Sequence, residues 1–310
     1  MIRKTIPFSL ILLTAFLSCA KQTTTPSVSA TKNALLWEIT GKGLKKPSYI
    51  YGTIHMIPKA DFFLTDAARK AIAESQKVTF EINMEDMTNP MKLIGVASKI
   101  MMPKGTRLRD LVSADDYKLI KNRLDSLGLP LQMVEMMKPM FLSSMVEAGG
   151  KQNLLDPSAA AESSITAYET EIMAIAQKQK KKIDGLETMA FQMGLFDSIP
   201  YKVQAEMLVK AVKSKDNGDD EFKAMVETYK RQDIEAMSAM MKSGDGNNGE
   251  LSNYESLLVT KRNLNWIPLM GQMMNAQPTF FAVGAGHLGG EKGVVNLLRK
   301  DGFTVRPLLK

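Results

Sequence analysis

The sequence predicts an α/β protein of mixed α+β type: a central mixed sheet with helices on its faces and a large helical insertion. Three observations predict it. Short β-branched and aromatic runs cluster near both ends of the chain, they alternate there with helical segments, and the middle is almost continuously helical in its apolar spacing. A chain of 310 residues that is 45% hydrophobic suits one large domain with a substantial core.

The elements follow in order. Residues 1–18 read as an export signal: Arg3 and Lys4, an apolar stretch from Ile6 to Leu17, then Ser18 before Cys19. The apolar run is short for a bilayer span and matches a signal h-region. A small residue before the only cysteine resembles a bacterial lipobox, in which Cys19 is lipidated. Phe16 and Leu17 depart from that pattern, and a plain secretory signal is the alternative. Residues 19–32 are rich in Thr, Ser, Lys and Ala, a composition too poor in apolar groups to order itself, and form a tether. The expected location is the cell envelope, with the chain membrane-anchored through its lipid. Ala20 after Cys19 leans toward an outer membrane.

The folded domain, 33–310, opens with two strand-like runs, Leu35 to Thr40 and Ser48 to Ile54, parted by a Gly-, Lys- and Pro-containing loop, a hairpin-like signal. Phe63, Ala67, Ala71 and Ile72 recur at helical spacing between Asp61 and Gln76, with Thr65 placed to cap. A strand covers Val78 to Ile82. Helices are expected from Pro90 to Gln179, with Ser113 opening a capping box and Pro130 in a first turn. A brief strand follows at Ile183 to Leu186, then helices from Met189 to about Lys242. After a Gly- and Asn-rich loop comes a helix from Tyr254 to Met274 with a kink expected at Pro268. A strand (Thr279 to Val283), a helix (Gly290 to Lys300) and a strand (Phe303 to Leu308) close the series. The helical insertion therefore spans about 90–275. Its methionines, such as Met133, Met136, Met137, Met140 and Met145, read as a core stripe, with an adaptable apolar groove as the alternative.

Composition excludes several functions. One cysteine cannot build a disulfide scaffold or a cysteine-rich metal site within the chain, and two histidines cannot build a three-histidine site. The net charge of +7 is spread among 33 acidic residues, and the longest basic run, Lys180 to Lys182, lacks interleaved aromatics. It reads as a solvated helix end, and no nucleic-acid partner is expected.

The chemistry concentrates at strand ends. Both histidines end the same tetrapeptide form, Gly52-Thr-Ile-His55 and Gly284-Ala-Gly-His287, directly after predicted strands. Glu81 and Glu187 occupy equivalent places on two others. If these strands are parallel, all four side chains emerge at one sheet edge, where open α/β folds place their sites. Two imidazoles and two carboxylates suffice for a divalent metal with open water positions; the mixture suits Zn²⁺, Mn²⁺, Co²⁺ or Fe²⁺. A purely structural role for a strand-end histidine stays open. The G-x-G-x-x-G pattern at Gly284 to Gly289 is rejected as a dinucleotide site. Only about twenty residues follow it, they supply no acidic ribose partner, and a histidine would crowd the pyrophosphate. Arg262 shares a helix face with Leu258 and Trp266, which points it inward toward a substrate carboxylate or oxyanion; a snorkelling surface arginine is the alternative.

Several motifs in order resemble the TraB/GumN/PrgY family, which includes the animal TIKI proteases. They are LLWEITGKGLKKPSYIYGTIH, the strand-end Glu81, GLET at Gly185 to Thr188 with Gln192 after it, LLVTKRNLNW at Leu257 to Trp266, and GAGHLGGEKGVVNLLRKDGFTV. The resemblance runs from about Leu35 to Leu308 and implies a fold related to the ChaN and erythromycin-esterase-like proteins. For the TIKI branch it implies metal-dependent peptidase activity supported by Mn²⁺ or Co²⁺. Carried over by residue, His55, His287 and Glu81 become the metal ligands, Arg262 steadies the substrate, and Glu187 assists as base or ligand. The leading expectation is an envelope metallohydrolase acting on a peptide or protein. The alternative is a non-catalytic lipoprotein that captures a peptide, haem or metal ion in the same cleft.

Overall fold

The computed structural model describes residues 33–147, 164–213, 217–243 and 251–309, all within one unit, Lys32–Lys310. The expected signal, the tether and Cys19 lie outside the described residues.

Six strands form the main sheet: β1 (Leu36–Thr40), β2 (Ser48–Thr53), β4 (Lys77–Ile82), β6 (Lys182–Glu187), β7 (Thr279–Gly284) and β8 (Thr304–Pro307), in the order β6-β4-β7-β2-β1-β8. β1 and β2 pair antiparallel, as the short Gly-containing loop between them predicts. β2, β7, β4 and β6 are mutually parallel, and β8 pairs antiparallel with β1, so β1 alone runs against the rest. A second, two-residue ladder joins β3 (Ile57–Pro58) to β5 (Ile165–Thr166). Sequence periodicity cannot register a strand that short.

The central position of β2 and β7 explains their composition. Both are buried along nearly their whole length, and SYIYGT and TFFAVG are continuous apolar and small runs instead of alternating ones. Phe80, Ile50, Phe280 and Phe281 from the strands pack with Trp37 and Trp266 in one core. Each such side chain removed from water contributes roughly 1.5–3 kcal/mol before chain entropy is counted.

Twelve helices are described: α1 (Asp66–Glu74), α2 (Pro90–Ile100), α3 (Ala114–Ser126), α4 (Leu131–Val134), α5 (Pro139–Glu147), α6 (Tyr168–Lys178), α7 (Met189–Leu195), α8 (Tyr201–Lys213), α9 (Asn217–Lys230), α10 (Ile234–Ser243), α11 (Lys261–Ala276) and α12 (Val294–Lys300). The predicted caps are made: Thr65 accepts from Ala68 N at the start of α1, and Ser113 accepts from Asp116 N at the start of α3. The helices between β4 and β6 and those up to β7 have a satellite core of their own, in which Leu108, Ile120, Leu124, Leu142 and Leu208 are fully buried. The stretch read as one helical run from Pro90 to Gln179 is broken by irregular segments around Met101 to Val112, where Met102 N instead bonds Met136 O.

Two further readings are refined. Met140 is buried, and Met137 and Met145 pack on the satellite core, whereas Met133 is 76% exposed and Met136 also faces solvent. The stripe is thus core on one side only. Lys181 is not merely solvated: its ammonium donates to the carbonyls of Ala73 and Ser75, capping the end of α1.

Candidate functional site

Because β2, β4, β6 and β7 are parallel neighbours, their carboxyl ends deliver four side chains to one edge. Glu81 is the penultimate residue of β4, Glu187 the last of β6, and His55 and His287 stand in the turns after β2 and β7. Small residues make this convergence possible. A Cβ on Gly284 would come 3.3 Å from Glu81 Oε1 and 3.6 Å from His287 Cδ2, and a Cβ on Gly52 would press to within 2.9 Å of Leu288.

Arg262 ties the carboxylates together. Its Nε donates to both oxygens of Glu187 at 3.1 and 3.0 Å, and its Nη2 donates to Glu187 Oε2 at 2.8 Å and to Glu81 Oε2. Nη1 donates to the Leu258 carbonyl at 2.9 Å, within a π-helical turn (Ser256–Thr260) that precedes α11. Such wide turns recur at functional sites because they displace one residue from the regular ladder. The inward reading of Arg262 therefore holds: its side chain is 10% exposed and lies over the Trp266 ring, 4.9 Å from its centroid. The predicted single helix from Tyr254 instead begins with a 3₁₀ segment and this π turn, and its α-helical part carries Pro268 inside.

Glu81 spends one oxygen on Arg262 and Gln192 (Nε2 at 3.3 Å) and the other on the Gly284 N–H at 2.9 Å. Burial opposes its charge, but His287, Arg262 and His55 and the Gly284 N–H together hold its carboxyl well below the usual range. Gln192, on α7, also donates to Glu187 at 2.9 Å and so bridges the two carboxylates.

His287 is buried and stacks on Trp266 with ring centroids 4.6 Å apart. Its Nδ1 lies 2.6 Å from Asn263 Oδ1. Asn263 donates both N–H groups, to the carbonyls of His287 and Lys292, so its oxygen accepts and Nδ1 carries the proton. Nε2 is then a lone pair, facing Arg262 Nη1 at 3.3 Å and Glu81 Oε1 at 3.8 Å. Burial first, offset in part by Glu81, pulls the imidazole pKa down to about 4, so the ring is neutral near pH 7.

His55 differs. Its imidazole is 74% exposed, and Nδ1 sits 3.1 Å from Glu169 Oε1, which also accepts from Thr53 Oγ1 at 2.7 Å. The hydrogen bond and charge of Glu169 raise His55 to about 9. Of the sequence-predicted residues, then, Glu81, Glu187, Arg262 and His287 form one hydrogen-bonded cluster. His55 stands beside them, within reach of the charges of Glu81 and Arg262, but is partnered elsewhere.

Sequence reasoning missed Glu169 and Asn263. Glu169 lies in the first turn of α6, where an acid ordinarily answers the helix dipole. Asn263 follows Arg262 inside the LLVTKRNLNW motif, and that adjacency was the available signal.

The donor chemistry fits a divalent cation in part. A neutral imidazole nitrogen whose other nitrogen is held by an amide, beside an ionised carboxylate oxygen, is how protein ligands are oriented for metal. Among the described residues no three His, Cys, Asp or Glu side chains converge on one point, and the guanidinium of Arg262 balances both carboxylates.

Comparison with known proteins agrees with the motif order. A "Metalloprotease TIKI2" of Danio rerio is 23% identical over 325 residues, covering 88% of this chain and 60% of that protein. A "Metalloprotease TIKI1" of Homo sapiens is 34% identical over 104 residues, covering 33% of this chain and 19% of that protein. A "Metalloprotease TIKI homolog" of Amphimedon queenslandica is 22% identical over 350 residues, covering 96% and 66%. The chain thus spans about 60% of the length of the Danio relative. No solved structure matches. The family model of the TraB/PrgY/gumN family matches residues 35–307, from the first strand of the sheet to the last, and the chain belongs to that family.

Proposed function

We propose that this chain is a metal-dependent peptidase of the cell envelope, exported and held at a membrane by lipid on Cys19. One observation carries the catalytic part: the neutral Nε2 of His287 and the ionised Glu81 face one another across 3.8 Å at the carboxyl edge of a parallel sheet. The metalloprotease names of the relatives support the choice of chemistry.

Glu81 and His287 would hold the ion, with His55 as a further nitrogen donor beside them. When bound, a divalent ion supplies a polarised carbonyl and a water of lowered pKa. The rest falls to the chain's own groups. Asn263 fixes the tautomer and orientation of His287. Glu187 and Gln192 hold Arg262 and Glu81 in register, and Arg262 in turn fixes both carboxylates at the sheet edge, so a substrate oxygen would have to displace one of its present partners. His55, raised to about 9 by the hydrogen bond and charge of Glu169, has to give up its proton before its nitrogen can take part.

A second reading has its own support: Arg262 already balances both carboxylates, which suits a non-catalytic lipoprotein that captures a peptide, haem or metal ion. One experiment separates them. Binding of Mn²⁺, Co²⁺, Zn²⁺ and Fe²⁺ is measured for wild type and for Glu81→Gln/His287→Gln, and each loaded protein is incubated with a broad peptide library read by mass spectrometry. Stoichiometric binding lost in the variant, together with new peptide termini, is expected. Binding without cleavage favours capture, and absence of binding to the folded wild type discards the metallopeptidase.

A further inference from the structure

Helix α2 is built unlike its neighbours. Of its eleven residues only Val96 is buried, while Met91 is 79%, Ile94 70% and Leu93 41% exposed. In a helix that merely covers a core these apolar side chains would face inward. The apolar surface continues past α2. Phe191, 43% exposed, lies on α7, which packs against α2. Met133 and Met136 lie on the segment bonded to the chain just after α2, where Met102 N meets Met136 O.

The same stretch is basic. Residues 90–109 hold Lys92, Lys99, Lys104, Arg107 and Arg109 and no acidic residue. Lys92 pairs with Asp86 and Arg109 with Glu135; Lys99, Lys104 and Arg107 are exposed. Carboxylates also lie near: Glu85 just before α2, Asp110 just after Arg109, and Asp197, which pairs with Lys138 and feels the charge of Lys99, as Glu135 feels that of Arg107. Protruding Met, Leu and Ile side chains on a helix that also carries Lys92 and Lys99, followed by further basic residues, suit the headgroup layer of an anionic bilayer.

We propose that α2, with Phe191, Met133 and Met136, is a docking face for an anionic membrane surface. The length of the preceding chain agrees. Thirteen residues separate Cys19 from Asn33. Fully extended they reach about 45 Å. This tethering rests on the lipid proposed above for Cys19: a body so tethered meets the bilayer at high effective concentration, and weak contacts suffice to orient it. α2 follows the Glu81 strand and α7 carries Gln192, so the docking face is built on elements that adjoin the candidate site.

The test is hydrogen–deuterium exchange of the full chain, alone and on vesicles of phosphatidylcholine with and without phosphatidylglycerol. Amides of Met91–Ile100 should exchange at least about fivefold more slowly on the anionic vesicles, and less so in high salt, with strand β7 unchanged. Met91→Ser/Ile94→Ser replaces exposed side chains only, so the protein stays folded and the slowing should vanish. Unchanged exchange in α2 on anionic vesicles overturns the proposal. Equal slowing on both vesicle types overturns the anionic preference, and slowing by an acidic apolar peptide but not by vesicles would make the face a peptide-docking surface instead.

Discussion

Arg262→Met tests the central electrostatic arrangement. The substitution keeps most of the side chain's volume and its packing on Trp266 but removes the charge shared by two carboxylates that are 14% and 6% exposed. Breaking a buried pair from one side typically costs about 3–5 kcal/mol, because the partner is left charged and unpaired. Partial solvent access lets water recover some of that, so a loss of about 3–4 kcal/mol is expected at pH 7. Its pH dependence follows from Glu81. In the wild type the lowered pKa of Glu81 contributes stability that is present above the unfolded carboxylate pKa and lost as pH falls through the folded value. Without the guanidinium the buried carboxyl resists ionisation instead, a cost felt at neutral pH and relieved as pH falls. The gap between wild type and variant should therefore narrow as pH falls from 7 to 5. Urea unfolding at both pH values, followed by circular dichroism, measures it. A loss under about 1 kcal/mol at pH 7, or one equal at pH 7 and 5, would refute the clamp and make Arg262 an ordinary surface residue.

Other outcomes follow from the same geometry. His287 is neutral in the fold down to about pH 4, whereas an unfolded histidine takes up its proton near 6.5. The metal-free protein should therefore lose about 3 kcal/mol as pH falls across that window, and His287→Gln should show a flatter profile by that amount in urea titrations. Glu169→Gln should return the His55 pKa from about 9 toward 6.5 in an NMR titration; an unmoved pKa would mean the contact is not formed in solution. His55 adds its stability below pH 6.5 and loses it as pH rises through 9, but with the ring 74% exposed the effect on unfolding stays within about 1 kcal/mol. Two glycines separate backbone strain from propensity. A Cβ on Gly185 would lie 2.4 Å from Asn83 N, so Gly185→Ala should cost about 3 kcal/mol or leave the protein insoluble. Gly95, within α2, has nothing within 4 Å of that position, and Gly95→Ala should raise stability by about 0.5–1 kcal/mol in thermal melts.

Much of the sheet was legible in the sequence, because β2, β4 and β7 are buried runs of β-branched and aromatic residues bounded by Gly, Pro or polar turns. Four strand-end residues were legible for a related reason: a polar side chain directly after such a run has only the sheet edge to occupy. What could not be read was pairing across distance. Glu169 meets His55 over 114 positions, and no local pattern distinguishes it from an acid that answers the dipole of α6. The expectation that both histidines belong to one donor cluster rested on their shared tetrapeptide. The structure parts them, because the first turn exposes its ring toward α6 whereas Asn263 draws the second inside. Helix boundaries in the middle of the chain blurred where methionine substitutes for leucine, since Met133 and Met136 fit the helical period yet face solvent.

The place of β7 has a consequence for how the chain acquires its structure. β2 and β4 arise within the first 82 residues, yet they do not touch: β7, residues 279–284, is the wedge between them. A growing chain therefore holds two open strand edges until nearly all of it is available, and pairing must then close across about two hundred residues. That delay leaves the edges of β2 and β4 exposed to other chains, so a protein shortened before Thr279 would be an aggregation-prone pair of half-sheets.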